Sequence, residues 1–241
     1  FSTVVTVASS CITPIIPPGI VLILYATASG VSIQEMFYAG YFPGFLIMVA
    51  EMALAGIQSR KRGYKPTRDR IGTAKEFAQN LKQSIWALFL PFGLIMGLLF
   101  GVFTPTEAGA CCIVYALLVG ALIYRTIHVK QLLPILRESV EATSGIMLII
   151  CASIAFGKFL TWERIPMIIS EAILAICHTD WQFLLLVNIL LAIVGMFFEG
   201  GAAMILLAPL LVPAAPSLDV NMIHFGIVMA STLTLAGVNP P

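Results

Sequence analysis

Apolar residues fall in long runs along this chain, cut by short polar stretches. A helix needs roughly 20 apolar residues to cross a bilayer core. Four runs meet that length without interruption: 37–57, 84–101, 104–124 and 139–160. Residues 1–28 are equally apolar but are interrupted by Pro14, Pro17 and Pro18. Residues 182–198 and 201–215 are two apolar arms around the tip "FEGG", a pattern that predicts a helical hairpin. The run 222–236 ends in "GVNPP", and 165–178, short and carrying Glu171, predicts an interfacial or partial span.

Composition turns these runs into a membrane protein. The 241 residues are 59% apolar and 10% charged, against roughly 25% charged in soluble domains. Lipid is therefore a partner, and a net charge of +1 without a basic face excludes nucleic acid. Cys11, Cys111, Cys112, Cys151 and Cys177 show no CxxC spacing, and His128, His178 and His224 each stand alone, so neither a disulfide framework nor a metal cluster is expected. No GxSxG, HExxH or P-loop pattern occurs, so no enzyme is expected. The chain starts inside an apolar run without Met and stops just after a break, which reads as a piece of a longer protein.

Charge orients the spans. Of the 13 Lys and Arg, all but Lys158 and Arg164 lie in 60–82 and 125–137. Two spans separate those segments, which puts both on one side. Segment 161–181, one span further on, carries Glu163, Glu171 and Asp180 against Arg164. The positive-inside rule makes the basic segments cytoplasmic and the acidic one external. Within the basic loop 58–82, "TAKEFAQNLKQSIW" predicts an amphipathic helix on the inner surface.

The breaks recur. "VASSCITPIIPP" (7–18) aligns with "ASTLTLAGVNPP" (230–241): two apolar helices with Ser or Thr that end in Pro-Pro, Ser9 over Thr232. If the hairpin is re-entrant, the two repeats are inverted, and paired broken helices in two halves mark a transporter's binding site. Proline has no N–H. The carbonyls of Ser10, Thr13 and Pro14 thereby lose their helical donors, as do those of Ala236 and Gly237 before Pro240 and Pro241. A hard cation takes oxygen ligands, and Ser9, Ser10, Thr13, Thr232, Thr234 and Asn239 add side-chain oxygens. The alternative is a plain proline kink satisfied by neighbouring hydroxyls or water.

Three further motifs carry polar groups inside or beside apolar runs. In "FTPTEAGA", Thr104 at N-cap, Pro105 at N1 and Glu107 at N3 spell a capping box; the other reading makes Glu107 an intramembrane proton carrier. At the hairpin tip, Glu199, Gly200 and Gly201 face either a substrate or ion, or simply solvent. Glu51 reads as a side chain that snorkels or faces a partner helix. Gly93, Gly97 and Gly101 repeat every four residues, which predicts close helix packing.

"GVFTPTEAGACCIVYALLVGALIYR" resembles the signature stretch of the large membrane subunit of TRAP transporters, the tripartite ATP-independent periplasmic carriers. The likeness continues in "PIIPPGIVLILYATASGVSIQEMFYAGYFPG", "LLVNILLAIVGMFFEGGAAMILLAPLLVPAA" and "VNMIHFGIVMASTLTLAGVNPP". It implies an all-α, inverted-repeat, elevator-type transporter of the bacterial inner membrane. Its expected activity is Na⁺-coupled import of organic acids, with a small membrane subunit and a periplasmic substrate-binding protein as partners and no cofactor beyond the coupling ion. By resemblance, Ser9–Pro18 is the first unwound helix, Phe198–Ala203 the tip of the second re-entrant hairpin and Thr232–Pro241 the second unwound helix. The family's first hairpin and N-terminal scaffold helices are then expected to precede Phe1. Asn239 stands where the family commonly has Thr, and Glu199 where it has Asp; both keep an oxygen. The expected organisation is a broken helix (1–29), a span (37–57), a basic loop with its surface helix (58–82), spans (84–160), an external connector (161–181), and the hairpin with the second broken helix (182–241). An elevator carrier without a binding protein, and a membrane scaffold or enzyme, are the alternatives.

Single cysteines replacing Arg68 and Asp180 in a cysteine-free background are predicted to react with an impermeant maleimide from opposite sides of the membrane. Labelling from one side only would refute the topology and the inverted repeat together.

Overall fold

A computed structural model describes residues 1–64 and 73–238. Ten α-helices account for most of them: α1 (Ser2–Ser10), α2 (Ile20–Ser29), α3 (Ile33–Lys61), α4 (Ala74–Leu99), α5 (Pro105–Leu118), α6 (Val129–Trp162), α7 (Ile165–Ile176), α8 (Asp180–Gly195), α9 (Gly200–Leu211) and α10 (Met222–Ala236). α5 continues into a π-helical turn, Val119–Ile123. The described residues contain no strand. α3, α4, α6, and α5 with its π-turn are long and apolar enough to cross a membrane. They expose Phe42, Phe45, Met52, Phe89, Phe92, Ile113, Leu122 and Leu148. Side chains of that size, bare along whole helices, belong against lipid. The molecule is an all-α, multi-pass membrane protein.

Helix ends depart from the sequence expectation at two places. The segment expected as a separate surface helix is the beginning of α4, which starts behind N-cap Thr73 with a capping box to Glu76 and runs unbroken to Leu99. Good helix formers follow the cap without a break signal, so the helix has no reason to stop at the bilayer surface. The glycine repeat 93, 97, 101 is a helix seam only in part: Gly93 lines the cavity between α4 and α5, and the other two answer to the turn after α4. A Cβ at Gly97 would lie 2.6 Å from the ring of Phe103, and Gly101 takes φ +68° in the turn that ends α4, a conformation open to glycine. Turn chemistry accounts for Gly97 and Gly101.

The chain forms two compact units, Phe1–Ala55 with Ser144–Pro241, and Gly56–Thr143. In the second, α4 and α5 are antiparallel neighbours. Tyr115 Oη donates to the Trp86 carbonyl (2.8 Å) and Tyr124 Oη to that of Gln83 (2.9 Å). Gln83 is thus level with the residue before Arg125, and the first turns of α4, with Lys75 and Lys82, extend past it on the same side. That places the ends of the two basic segments together. An apolar cavity of about 260 Å³ between α4 and α5 is lined by Phe89, Phe103, Cys111 and Tyr115 among others, and none of the broken-helix residues reaches it.

The first unit holds the core. α8 presents Phe183, Val187, Leu191 and Gly195 at four-residue spacing, and α10 presents Phe225, Met229, Leu233 and Ala236 opposite; all are buried. Such i, i+4 rows lie on one helix face and pack ridge against groove. Tyr25 of α2 closes the lower layer: its ring meets Phe225 edge-on at 6.3 Å, Phe183 stacks on Phe225 at 5.2 Å, and Tyr25 Oη donates to the Met222 carbonyl at 2.6 Å. Gly226 makes room for that ring, because a Cβ there would run into Tyr25 and come within 2.7 Å of Met36 Cε. Tyr25 is fully buried and hydrogen-bonded, so it cannot yield.

Gly226→Ala is predicted to lower the thermal unfolding midpoint in detergent, an overpacking cost of about 1–3 kcal/mol. Gly109→Ala, where nothing lies within 4 Å, leaves the midpoint unchanged or raises it, since Ala outranks Gly in a helix.

Candidate functional site

The first break is built from Cys11 to Pro18. As α1 ends, the N–H groups of Cys11, Ile12 and Thr13 donate to the carbonyls of Ala8, Ser9 and Ser10, three residues back, at 3.1–3.3 Å. This 3₁₀ tightening gives Ser10 a donor after all, which corrects the expectation that Pro14 leaves its carbonyl open. Ile15 and Ile16 both donate to the Ile12 carbonyl at 3.0 Å. The carbonyls of Thr13 and Pro14 accept no hydrogen bond among the described residues. Ser9 Oγ and Ser10 Oγ donate to the Thr6 and Val7 carbonyls (3.0 and 2.7 Å), turning back on their own helix. The Thr13 side chain is exposed and makes no bond.

Glycines hold this turn in place. Gly19, the N-cap of α2, lies so close to the Pro14 carbonyl oxygen that a Cβ would collide with it. On α3, a Cβ at Gly40 would sit 2.6 Å from the Ile15 carbonyl oxygen, and one at Gly44 would strike the Ile16 side chain. The Gly40–Gly44 face of α3 is the seat of the break. The Pro17–Pro18 bond is cis.

At the hairpin tip, Glu199 is the N-cap of α9. Its Oε1 accepts the Gly201 N–H and its Oε2 the Ala202 N–H, both at 2.9 Å. A carboxylate on the first amides of a helix also meets the positive end of the helix dipole. Gly201, which is buried, leaves the space: a Cβ there would lie 3.1 Å from Oε2 and 3.4 Å from Leu24 of α2. Gly200 has nothing near it. Just before the tip, Gly195 lets α8 press on the end of α10, since its Cβ would be 2.7 Å from Ala236 Cβ and 3.2 Å from the Leu233 carbonyl. The tip is thus flanked by α2 on one arm and by the second break on the other.

Of the second break, residues 222–238 are described; Asn239, Pro240 and Pro241 lie outside the described residues. Ala236 is buried and Gly237 is the exposed C-cap of α10. Thr234 Oγ1 donates to the Ala230 carbonyl at 2.7 Å, on its own helix. Thr232 does otherwise: its hydroxyl donates to Asn188 Oδ1 on α8. Asn188 was not foreseen as part of the site, although one amide inside "LLLVNILLA" was the signal for it. No hydrogen bond among the described residues joins the oxygens of the first break to those of the second.

The remaining motif belongs to the other unit. Glu107 Oε2 accepts the Thr104 N–H (2.8 Å) and hydroxyl (2.9 Å), and the Glu107 N–H donates to Thr104 Oγ1 at 3.4 Å, with Pro105 opening α5. Both partners of a reciprocal capping box are present.

The family profile described as "Tripartite ATP-independent periplasmic transporter, DctM component" matches residues 1–241. The chain belongs to the DctM family. It is 34% identical over 236 residues to the sialic acid TRAP transporter large permease protein SiaM of Vibrio cholerae, which covers 98% of this chain and 55% of SiaM. The C4-dicarboxylate TRAP transporter large permease protein DctM of Pseudomonas aeruginosa is 34% identical over 227 residues, 94% of this chain and 53% of that protein. The Salmonella typhimurium protein YgiK is 38% identical over 242 residues, 100% of this chain and 55% of YgiK. This DctM-family chain spans about half the length of the curated relatives it matches.

Glu107→Gln is predicted to keep the cap, because Gln serves equally at N3, with an unfolding midpoint close to wild type and transport by the native protein within about twofold. Loss of transport in a folded, inserted Glu107→Gln protein would assign Glu107 a charge-carrying role instead.

Proposed function

We propose that this chain is the transport part of the large permease of a TRAP carrier, importing organic acids such as sialic acid, C4-dicarboxylates or related carboxylates across the bacterial inner membrane. It works with a periplasmic substrate-binding protein and a small membrane subunit, and Na⁺ drives it. The chain's likeness to the sialic acid permease SiaM and the C4-dicarboxylate permease DctM supports the substrate class. The observation that carries the ion reading is the pair of unpartnered carbonyls at Thr13 and Pro14, beside the free Thr13 hydroxyl, in a turn set between apolar helices. Peptide oxygens left open at membrane depth need a partner, and a hard cation is the partner that wants oxygens alone.

Charge supports the same reading. The tip offers no free helix N-terminus to an anion, since Glu199 already occupies the Gly201 and Ala202 amides, and neither break nor tip contains Lys or Arg. An anionic substrate entering there needs positive charge, and co-bound Na⁺ brings it. α8 and α9, of 16 and 12 residues, are about 24 and 18 Å long at 1.5 Å per residue, short of the ~30 Å core. That length supports a re-entrant hairpin and with it an inverted repeat. Division of the chain into two separately packed units supports a moving part and a fixed part, as an elevator requires.

The test is uptake of sialic acid and of a C4-dicarboxylate into proteoliposomes that hold the full-length protein with its small subunit, with and without Na⁺ and the binding protein. Uptake is expected to need both. Thr13→Val is expected to raise the half-activating Na⁺ concentration about tenfold, which corresponds to one lost ligand of about 1.4 kcal/mol. Uptake indifferent to Na⁺ would refute the coupling, and uptake independent of the binding protein would refute the tripartite arrangement.

A further inference from the structure

α4 and α5 are pinned at their basic end and part beyond it. Tyr124 Oη on the Gln83 carbonyl and Tyr115 Oη on that of Trp86 hold the pair there. Past Trp86 the lining residues include Gly93, Ala108, Cys111 and Cys112, and these small side chains leave the apolar cavity of about 260 Å³ between the rings of Phe89 and Phe103. The Phe89 and Tyr115 rings, with centroids 5.8 Å apart, stand at its near end. The Tyr115 proton is committed to Trp86, so the walls offer a guest carbon and sulfur. Water in such a space finds no partners, and in a bilayer the filler at hand is a hydrocarbon chain. Cys111 is exposed, so the cavity reaches the lipid-facing surface. From there Tyr115 and the exposed Leu118 continue one face of α5 toward the basic end.

At that end Lys75, Lys82, Arg125 and Lys130 are exposed, and none of them forms an ion pair among the described residues. Lys82 precedes Gln83 and Arg125 follows Tyr124, so these two flank the same hydrogen bond. Glu76 is held in the cap of α4, and Arg137 is taken by Glu141. At 1.5 Å per residue, Phe89 and Leu94 lie about 10 and 18 Å along α4 from Lys82. One leaflet's hydrocarbon is about 15 Å deep, half of the ~30 Å core. A lipid whose phosphate meets Lys82 and Arg125 therefore ends its chain at the cavity. The opposite end of the pair, the turn at 100–104, has no Lys or Arg and is followed by Glu107, so an anionic headgroup there would meet an acid. Charge thus decides the leaflet. We propose that the α4–α5 pair binds an anionic phospholipid of the leaflet on the basic side, its phosphate on Lys82 and Arg125 and one acyl chain in the cavity. Lys75 and Lys130 add to the attracting field, as basic residues beside a span do for anionic lipid.

The experiment uses the full-length protein with its small subunit, delipidated in detergent, and three probes: phosphatidylglycerol, phosphatidylethanolamine and soluble glycerol phosphate. Binding is read by native mass spectrometry and by the rise in unfolding temperature. Phosphatidylglycerol is expected to bind and raise the midpoint, phosphatidylethanolamine to bind about tenfold more weakly, and glycerol phosphate to do nothing. Lys82→Gln combined with Arg125→Gln is expected to weaken phosphatidylglycerol about thirtyfold, the effect of two surface cations, and to leave phosphatidylethanolamine unchanged. Gly93→Leu is expected to fill the cavity and weaken both lipids; its first carbon has room, since a Cβ there would meet only Phe89 at 3.7 Å. Cys111→Trp fills the same space should Gly93→Leu fail to fold. Lys158→Gln, near the other end of α6, leaves both titrations as they were. Equal binding of the two lipids, a wild-type titration for the charge variant, or a wild-type titration for the cavity variants would each overturn the proposal. A thermal shift from glycerol phosphate alone would make the cations a free-anion site, and a complex that takes up no lipid would give the cavity to a protein segment; either result overturns it as well.

Discussion

Hydrocarbon offers a peptide group no hydrogen-bond partner, and the proline-rich turn at 11–18 is where this chain comes closest to breaking that constraint. Most of the damage is repaired locally. Three 3₁₀-type bonds close the end of α1, and the Ile12 carbonyl serves two donors. What remains open is a run of carbonyls, Thr13 and Pro14 first and then those up to Pro18, which accept no hydrogen bond among the described residues. Had the helix simply kinked, the open groups would be spread along it and water or hydroxyls would cover them. Their concentration in one turn gives the turn a chemical character, a small set of oxygens in an apolar setting.

Such a turn must also be kept from collapsing or melting, and small residues do this. Gly19, Gly40 and Gly44 each sit where a side chain would strike the turn's own backbone or side chains. At the hairpin the device is different. Glu199 folds back over Gly201 to satisfy the first amides of α9, so the tip keeps its acid but has already used part of it as a cap. The role first read from Glu199, facing a ligand, and the role seen, capping a helix, are compatible because each carboxylate oxygen retains a lone pair beyond the bond it accepts.

Reading the chain by hydrophobic runs located the spans because a run of apolar residues has one use at that length. The Thr104–Glu107 box was equally plain, since its geometry is local and its residues lie three apart. Errors came where a local signal had two meanings. Glycines at 93, 97 and 101 have the spacing of a helix seam, yet two of them answer to Phe103 and to a left-handed turn. "TAKEFAQNLKQSIW" is amphipathic whether it lies on a surface or begins a longer helix, and only its continuity with α4 separates the two. The Ser10 carbonyl loses its α-helical donor at Pro14 but gains a 3₁₀ donor in the Thr13 N–H, which residue spacing alone does not announce.

What the sequence determined by itself was what depends on neighbours in the chain: membrane helices, their order, the site of the first break, the caps, and family membership through motifs in register. These follow from residue type and spacing, because hydropathy, missing proline donors and N-cap oxygens act over a few residues. Only the tertiary structure decided which oxygens stay free and which elements meet. That Tyr25 bonds Met222, that Gly195 admits Ala236, and that Asn188 takes the Thr232 proton join residues far apart in the chain. Such pairings depend on the crossing of packed helices, where one missing Cβ or one correctly turned amide decides the approach, and no local pattern encodes that distance.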